Sequence, residues 1–199
     1  ASTVDFTDCK NSGAVTHTAK SAKIGGLLGL GNGDLTNCVN TGDLSGETVG
    51  GLVGSGDGAV IDCRVKAALT TNAIAGGLRG IVSKMDEYLI ENCAVELDVH
   101  VEDGSYVGGL VGCGYGYTTV KNCNVDFSMD GNCELAGGLF GTVHGALNAM
   151  EIYMGTEFQT PHIPHMTEIM LHAGCRTRNT GICHSYTTDY QSLKNRLYC

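Results

Sequence analysis

Apolar residues recur along this chain at fixed distances from two repeated sequence landmarks. One landmark is a Gly-Gly-Leu-x-Gly motif, whose first glycines are Gly25, Gly50, Gly76, Gly108 and Gly137. The other is a cysteine that directly follows Asp or Asn, at Cys9, Cys38, Cys63, Cys93 and Cys123. The residues three before and six after each of these cysteines are apolar in every unit. Five matches at intervals of 25 to 32 residues indicate an internal repeat.

The local sequence of each unit favours short strands joined by tight corners. Segments such as residues 59–65 are short and rich in β-branched side chains, and Gly, Asn or Asp interrupts them every few residues. A helical repeat would not tolerate two adjacent glycines in every unit. We therefore predict an all-β fold, a parallel β-solenoid of about five coils, with equivalent strands stacked about 4.8 Å apart.

Each repeated position has a predicted role. The glycine pair supplies a bend that a Cβ would obstruct, and the Asn or Asp before each cysteine accepts left-handed backbone at a corner. Each cysteine is expected to act as a small buried apolar residue. The leucine after the glycine pair is expected to point inward in every unit, at Leu27, Leu52, Leu78, Leu110 and Leu139.

The residue after that leucine is predicted to face outward, because side chains alternate along a strand. Four of the five residues in this column are apolar, namely Leu28, Val53, Val111 and Phe140, and the fifth is Arg79. We expect a loop or the C-terminal tail to cover this apolar stripe. The alternative is that the stripe contacts another subunit.

The repeat pattern stops near Ala149, which divides the chain into a solenoid over residues 1–148 and an extension over 149–199. In the extension, Pro164 and Gly174 bracket a predicted short helix. We expect this mixed segment to cap the last coil, since an open solenoid end exposes unpaired strand edges. Within the solenoid, residues 81–88 and 101–106 are expected to protrude as loops.

Two groups of residues in and near the extension are candidates for metal or disulfide chemistry. On a helix, four residues would share one face within an arc of about 120°, which makes them weak metal-ligand candidates: His162, His165, Glu168 and His172. A solvated polar face would have the same pattern, and we expect neither a metal nor any other cofactor. Disulfides that hold the tail are the preferred interpretation for Cys113, Cys133, Cys175, Cys183 and Cys199.

Composition narrows the range of partners. The chain has a net charge of −9 and only 12 basic residues in 199, so nucleic acid and anionic membrane surfaces are not expected partners. Its apolar stretches are too short and too often broken by glycine to span a bilayer. Ten cysteines favour an oxidising location weakly, because five of them belong to the repeat.

No arrangement of residues in the sequence requires a particular reaction. Cys183 and His184 are adjacent and therefore point apart, which disfavours a nucleophile–base pair. Acidic residues are scattered over expected loops without recurring at one column of adjacent coils, unlike the sites of β-helical polysaccharide enzymes. Glycine strings at 54–58 and 112–116 lack the lysine and helix of a phosphate loop, so we interpret them as turns.

The two landmarks together resemble the GLUG repeat family. Residues 37–54, which run from Asn37-Cys38-Val39-Asn40 to Gly51-Leu52-Val53-Gly54, match most closely, and the resemblance extends over roughly residues 4–145. In the third to fifth units the Asn-x-Gly half of the motif is absent. The resemblance implies secreted or cell-surface microbial proteins, including adhesin-like chains and proteases that carry such repeats outside their catalytic part.

These observations give three expectations for function. The first is a non-catalytic extracellular structural protein that associates with itself into a filament or surface layer. The second is an adhesin-like binding module that touches a glycan or host protein, with Tyr88 and Tyr106 as stacking residues. The third is a carbohydrate-active or protease-associated β-helix.

Overall fold

In a computed structural model, which describes residues 3–83, 87–154 and 186–189, the chain forms a parallel β-solenoid of about five turns. The described residues form strands, turns and bends and include no helix, so none of them forms a helix able to cross a membrane. The predicted fold class is confirmed. The expected helix near Pro164 and most of the capping segment lie outside the described residues.

The strands follow the coils in chain order. Coil one contains β1 (Phe6–Thr7), β2 (Lys10–Asn11), β3 (Val15–Thr16), β4 (Lys23–Gly25) and β5 (Leu28–Leu30). Coil two contains β6 (Leu35–Thr36), β7 (Val39–Asn40), β8 (Leu44–Gly50) and β9 (Val53–Ser55). Coil three contains β10 (Val60–Ile61), β11 (Arg64–Gly76) and β12 (Arg79–Val82). The remaining strands are β13 (Glu87–Glu91), β14 (Ala94–Gly108), β15 (Val111–Gly137), β16 (Phe140–Met154) and β17 (Tyr186–Asp189).

Equivalent strands of successive coils pair in parallel, in the register that the cysteine landmark predicts. Phe6 pairs with Leu35, Leu35 with Val60, and Val60 with Ile90, each three residues before its cysteine. This column continues to Val120 and is buried from coil two onward. The stacked apolar columns form one continuous core along the solenoid.

The corner before each cysteine has the predicted left-handed backbone. The five residues at this position have φ between 47° and 56°: Asp8, Asn37, Asp62, Asn92 and Asn122. Their side chains form an exposed ladder between coils, in which the Asn37 Nδ2 donates to Asp8 Oδ1 at 2.5 Å and the Asn122 Nδ2 donates to Asn92 Oδ1 at 2.8 Å. Asn and Asp tolerate this conformation better than other side chains, so the corner explains the residue type.

The Asn-x-Gly half of the motif makes an additional corner in coils one and two. Asn40 is fully buried, its Oδ1 accepts from Gly42 N at 3.1 Å, and its Nδ2 donates to Gly42 O at 3.0 Å. In coil three the register places Val65 opposite Asn40, and the strand runs without a break through β11. The loss of Asn-x-Gly therefore converts a corner into continuous strand.

The glycine pair forms a tight arch between neighbouring coils. A Cβ at position 77 would lie 2.0 Å from Gly109 O, so only glycine fits there. Just after the pair, the N–H groups of Leu52 and Val53 both donate to Leu78 O, each at 3.0 Å. Because two consecutive N–H groups point toward the next coil, the side chains of these two residues do not alternate between the faces of the strand.

This arch makes the prediction of an outward-facing stripe wrong. Leu52 and Val53 both point into the core, and the equivalent pairs in coils three to five do the same. In the column proposed as an interface, Val53, Val111 and Phe140 are fully buried, and Leu28 of coil one is half-buried. Arg79 is fully buried in the same column.

Two further features of the fold differ from the sequence-based expectations. Residues 101–106 do not protrude as a loop but lie inside β14, where the register with β15 shifts between Val101 and Gly104. The second feature is β16, which crosses residue 148 and pairs in parallel as far as Met154. Ile152 there lies opposite Cys123 and continues the buried cysteine column.

Candidate functional site at the open edge of coil one

The strands of coil one pair only with coil two among the described residues. Each of β1 to β5 has parallel partners in β6 to β9 and, within the described ranges, none on its other side. Phe6 N and Asp8 N donate to Asp34 O and Thr36 O of coil two. Because alternate N–H groups of a parallel strand point to opposite sides, the Thr7 N–H faces the unpaired side. The same pattern at Val15 and His17 places the Thr16 N–H on that side.

The apolar columns are incompletely covered at this edge. Phe6, Cys9 and Val15 are half-buried, whereas their partners in coil two are buried. Leu30 at the end of coil one is 71% exposed, and Val4 is 58% exposed. An unpaired strand edge beside half-exposed apolar side chains is a template for adding another strand. We refer to this surface, formed by residues 4–30, as the open edge.

At the opposite end of the stack, the apolar columns are buried. Leu147, Ala149 and Ile152 belong to the last described turn, and all three are buried. In addition, β17 pairs antiparallel with β16, with Ala146 opposite Asp189 and Ala149 opposite Tyr186. A segment of the tail thus lies along residues 146–149 of the last turn, whereas none of the five strands of coil one has a second partner among the described parts of the stack.

Charge also distinguishes coil one from the rest of the chain. Residues 1–33 contain three lysines and two aspartates, although the whole chain has a net charge of −9. A close approach to the open edge is therefore opposed less by like-charge repulsion than an approach to the later coils.

The cysteine column is buried inside the stack from coil two onward, whereas Cys9 of coil one is half-buried. The Cys63 thiol donates to Ile61 O at 3.2 Å and the Cys93 thiol to Glu91 O at 3.3 Å. A hydrogen bond from Cys93 lowers the pKa of the Cys63 thiol to about 7, while hydrogen bonds to both neighbouring cysteines raise the pKa of Cys93. These thiols are buried, which matches the expectation that cysteine fills an apolar position.

Among the remaining cysteine and metal candidates, the structure describes only Cys113 and Cys133. Cys113 and Cys133 are buried free thiols, and burial raises the pKa of Cys133 to about 11. The predicted disulfide partners Cys175, Cys183 and Cys199 lie outside the described residues, as do the metal candidates His162, His165, Glu168 and His172. Within the described ranges, no group of three His, Cys, Asp or Glu residues is placed to hold a metal ion.

Polar side chains form an exposed array on the outward face of β11, β14 and β15. Three pairs link adjacent coils: Lys66 Nζ and Glu96 Oε1 at 2.6 Å, His100 Nδ1 and Asp130 Oδ1 at 2.9 Å, and Ser128 Oγ, which donates to Asp98 Oδ1. Glu96 also lies opposite Asp126. The expectation that acidic residues do not recur at one column is therefore wrong on this face. The cysteine landmark could have identified the array, because Lys66, Glu96 and Asp126 each lie three residues after the cysteine of their unit.

The exposed aromatic residues are not the ones expected from the sequence. Tyr88 is buried in the core, where burial raises the pKa of its hydroxyl group. The exposed aromatic surface instead contains Tyr117, which is 62% exposed, and Tyr115, whose ring stacks on His144 with centroids 4.7 Å apart. Tyr106 is half-buried. These aromatic residues lie on the strands themselves and not on protruding loops.

The comparison with protein families finds a match, which lies in coils four and five. Residues 103–128, in coils four and five, match the GLUG motif. The chain carries a GLUG motif. The match includes the glycine pair before Leu110 and the Asn122-Cys123 corner, whereas residues 37–54, expected to match most closely, lie outside it. No characterised protein and no solved structure is significantly similar to the chain.

In this GLUG-containing solenoid the motif has a physical explanation. Its glycines let adjacent coils approach at the arch, and its Asn-Cys pair makes the left-handed corner. Both requirements concern the stacking of coils and not a bound substrate.

Proposed function

We propose that this protein is a non-catalytic, extracellular structural solenoid that associates with itself through the open edge into a filament or surface layer. The observation that supports this proposal is the half-exposed apolar columns of coil one, which lie beside strands that the described residues pair on one side only. Strand addition there would bury Phe6, Val15 and Leu30 and give hydrogen-bond partners to Thr7 and Thr16. The motif itself serves stacking, which favours a structural role over a catalytic one.

Blocking the open edge should prevent association. The double substitution Thr7→Pro and Thr16→Pro removes two N–H groups that face the unpaired side and leaves the N–H groups bonded to coil two in place. We expect the unmodified protein to form larger species as its concentration rises under oxidising conditions, and the double variant to remain monomeric. Light scattering after size-exclusion chromatography and negative-stain electron microscopy measure this difference.

The matched control is Thr7→Val with Thr16→Val, which keeps both N–H groups and the β-branched shape. This control should associate like the unmodified protein. An unmodified protein that stays monomeric at every concentration would refute self-association. Equal association of the proline and valine variants would show that the contact lies on another surface.

A second candidate function is an adhesin-like module that binds a glycan or host protein, and the exposed aromatic surface favours it. Tyr117 is exposed and the Tyr115–His144 stack is held on a rigid strand, so the rings are available for stacking contacts. On this hypothesis, Tyr117→Ala should abolish binding on a glycan array, while the control Thr7→Val should not change it. An array on which the unmodified protein binds nothing would count against the glycan form of the hypothesis.

A further inference from the structure

Arg79 is the one charged residue in a column that is otherwise apolar. Its counterparts are Leu28, Val53, Val111 and Phe140, and its side chain is fully buried. Burial lowers the pKa of the guanidinium to about 10, so it remains charged at neutral pH. Nε and Nη1 have no hydrogen-bond partner among the described residues. A buried charge with unpaired donors costs stability.

The guanidinium fits one corner of the stack. Its Nη2 donates to Gly33 O at 3.2 Å and to Gly58 O at 3.1 Å. Both glycines lie two residues before the column of Leu35 and Val60, at the entrance to their coils. Glycine at each position permits a backbone that other residues rarely adopt, with φ of 157° at Gly33 and 120° at Gly58, and both carbonyl oxygens accept from the Arg79 guanidinium.

Later coils cannot accept an arginine in the same way. The position two before the column holds Tyr88 in coil four, Thr118 in coil five and Leu147 in the last turn, and register pairs these three in succession. All three have buried side chains at the position where coils two and three have glycine. The Arg79 side chain therefore fits only where its own coil and the preceding coil both have glycine at this position, as coils three and two do.

Similar repeats create a specific hazard during folding. Each coil contacts mainly its neighbours, so a coil can stack on the wrong partner, either within one chain or in an exchanged dimer. The arch and the cysteine corner are common to all five units and do not distinguish one coil from another. A residue that fits only one pair of coils would remove this ambiguity.

We propose that Arg79 is a register-determining residue that fixes coil three on coil two by its match to the glycine corner at Gly33 and Gly58. Stability alone does not account for it, because apolar side chains fill the same position in the other four coils. Buried polar groups that select one arrangement at a cost in stability are known in other folds.

The test compares Arg79→Met with Val53→Ala after refolding from denaturant at several protein concentrations. Methionine keeps much of the side-chain length but cannot donate to the glycine carbonyls, whereas Val53→Ala opens a cavity in the same column of coil two without changing any polar contact. We expect Arg79→Met to give a mixture, seen as exchanged dimers in light scattering and as duplicated amide resonances in NMR spectra. We expect Val53→Ala to give the same species as the unmodified protein at each concentration, with one resonance per amide.

Three results would overturn the proposal. The first is an Arg79→Met variant that refolds to a single species, and the second is a Val53→Ala variant that is equally heterogeneous. The third is Arg79→Lys, which keeps the charge and a donor, behaving no better than Arg79→Met. If Arg79→Met does not fold, Arg79→Gln is compared with Val53→Ala at denaturant concentrations that give the two variants equal stability, and the same outcomes decide.

Discussion

Replacing Gly77 by alanine should destabilise the protein by at least about 3 kcal/mol. The added Cβ would lie 2.0 Å from Gly109 O and 2.6 Å from Val95 Cγ1. The carbonyl cannot withdraw easily, because Gly109 N is itself bonded to Gly137 O of the next coil at 3.1 Å. Coils three and four would have to separate at the arch. Denaturant unfolding followed by circular dichroism measures the change.

The matched control for this substitution is Gly13→Ala in coil one. A Cβ at position 13 would meet only Asn11 Oδ1, at 3.7 Å, which is an ordinary contact. We expect this variant to stay within about 0.5 kcal/mol of the unmodified protein. Equal stability of the two alanine variants would mean that the coils at the arch can move apart at little cost, contrary to the geometry.

The second large effect is expected at Asn40. Substitution by valine, the residue found at the equivalent positions of coils three to five, should cost roughly 3 kcal/mol. Asn40 Oδ1 accepts from Asn11 Nδ2 at 2.8 Å and from Gly42 N at 3.1 Å, and the amide group donates to Gly42 O. Valine would remove both hydrogen bonds that Asn40 makes to the buried Gly42 backbone, and differential scanning calorimetry should record a lower Tm.

Thr41→Val provides the comparison, because Thr41 is exposed and its hydroxyl reaches Asn11 O only at 3.5 Å. This variant should melt close to the unmodified protein. If Asn40→Val and Thr41→Val have the same Tm, the corner of coil two can straighten into continuous strand as it does in coil three. The Asn-x-Gly corner would then be dispensable for stability.

The sequence was sufficient to predict the stacked columns because their physical cause repeats in every unit. The left-handed corner selects Asn or Asp, and the arch selects glycine, so both appear as regular landmarks. The orientation of Val53 could not be found in this way. It depends on Leu52 and Val53 donating to one carbonyl, and that arrangement overrides the alternation on which a strand prediction relies.

Other features escaped prediction because they depend on three-dimensional register or on a substituted landmark. Ile152 continues the cysteine column without being a cysteine, so the repeat seemed to end too early. The pair of His100 and Asp130 lies seven residues after the cysteine in both units, so the cysteine landmark aligns the two residues and only their side-chain contact escaped prediction. The contact of Arg79 with Gly33, which is 46 residues away, leaves no local pattern in the sequence.

The open edge has a mechanical consequence. Among the described residues, coil one is held by hydrogen bonds from one side only, whereas coils two to four are held from both sides. A pulling force applied at coil one would therefore detach coil one before coil two and then expose coil two to the same condition. Each detached coil of about 25 residues would release on the order of 90 Å of chain, so the molecule would yield under tension in successive steps and not all at once.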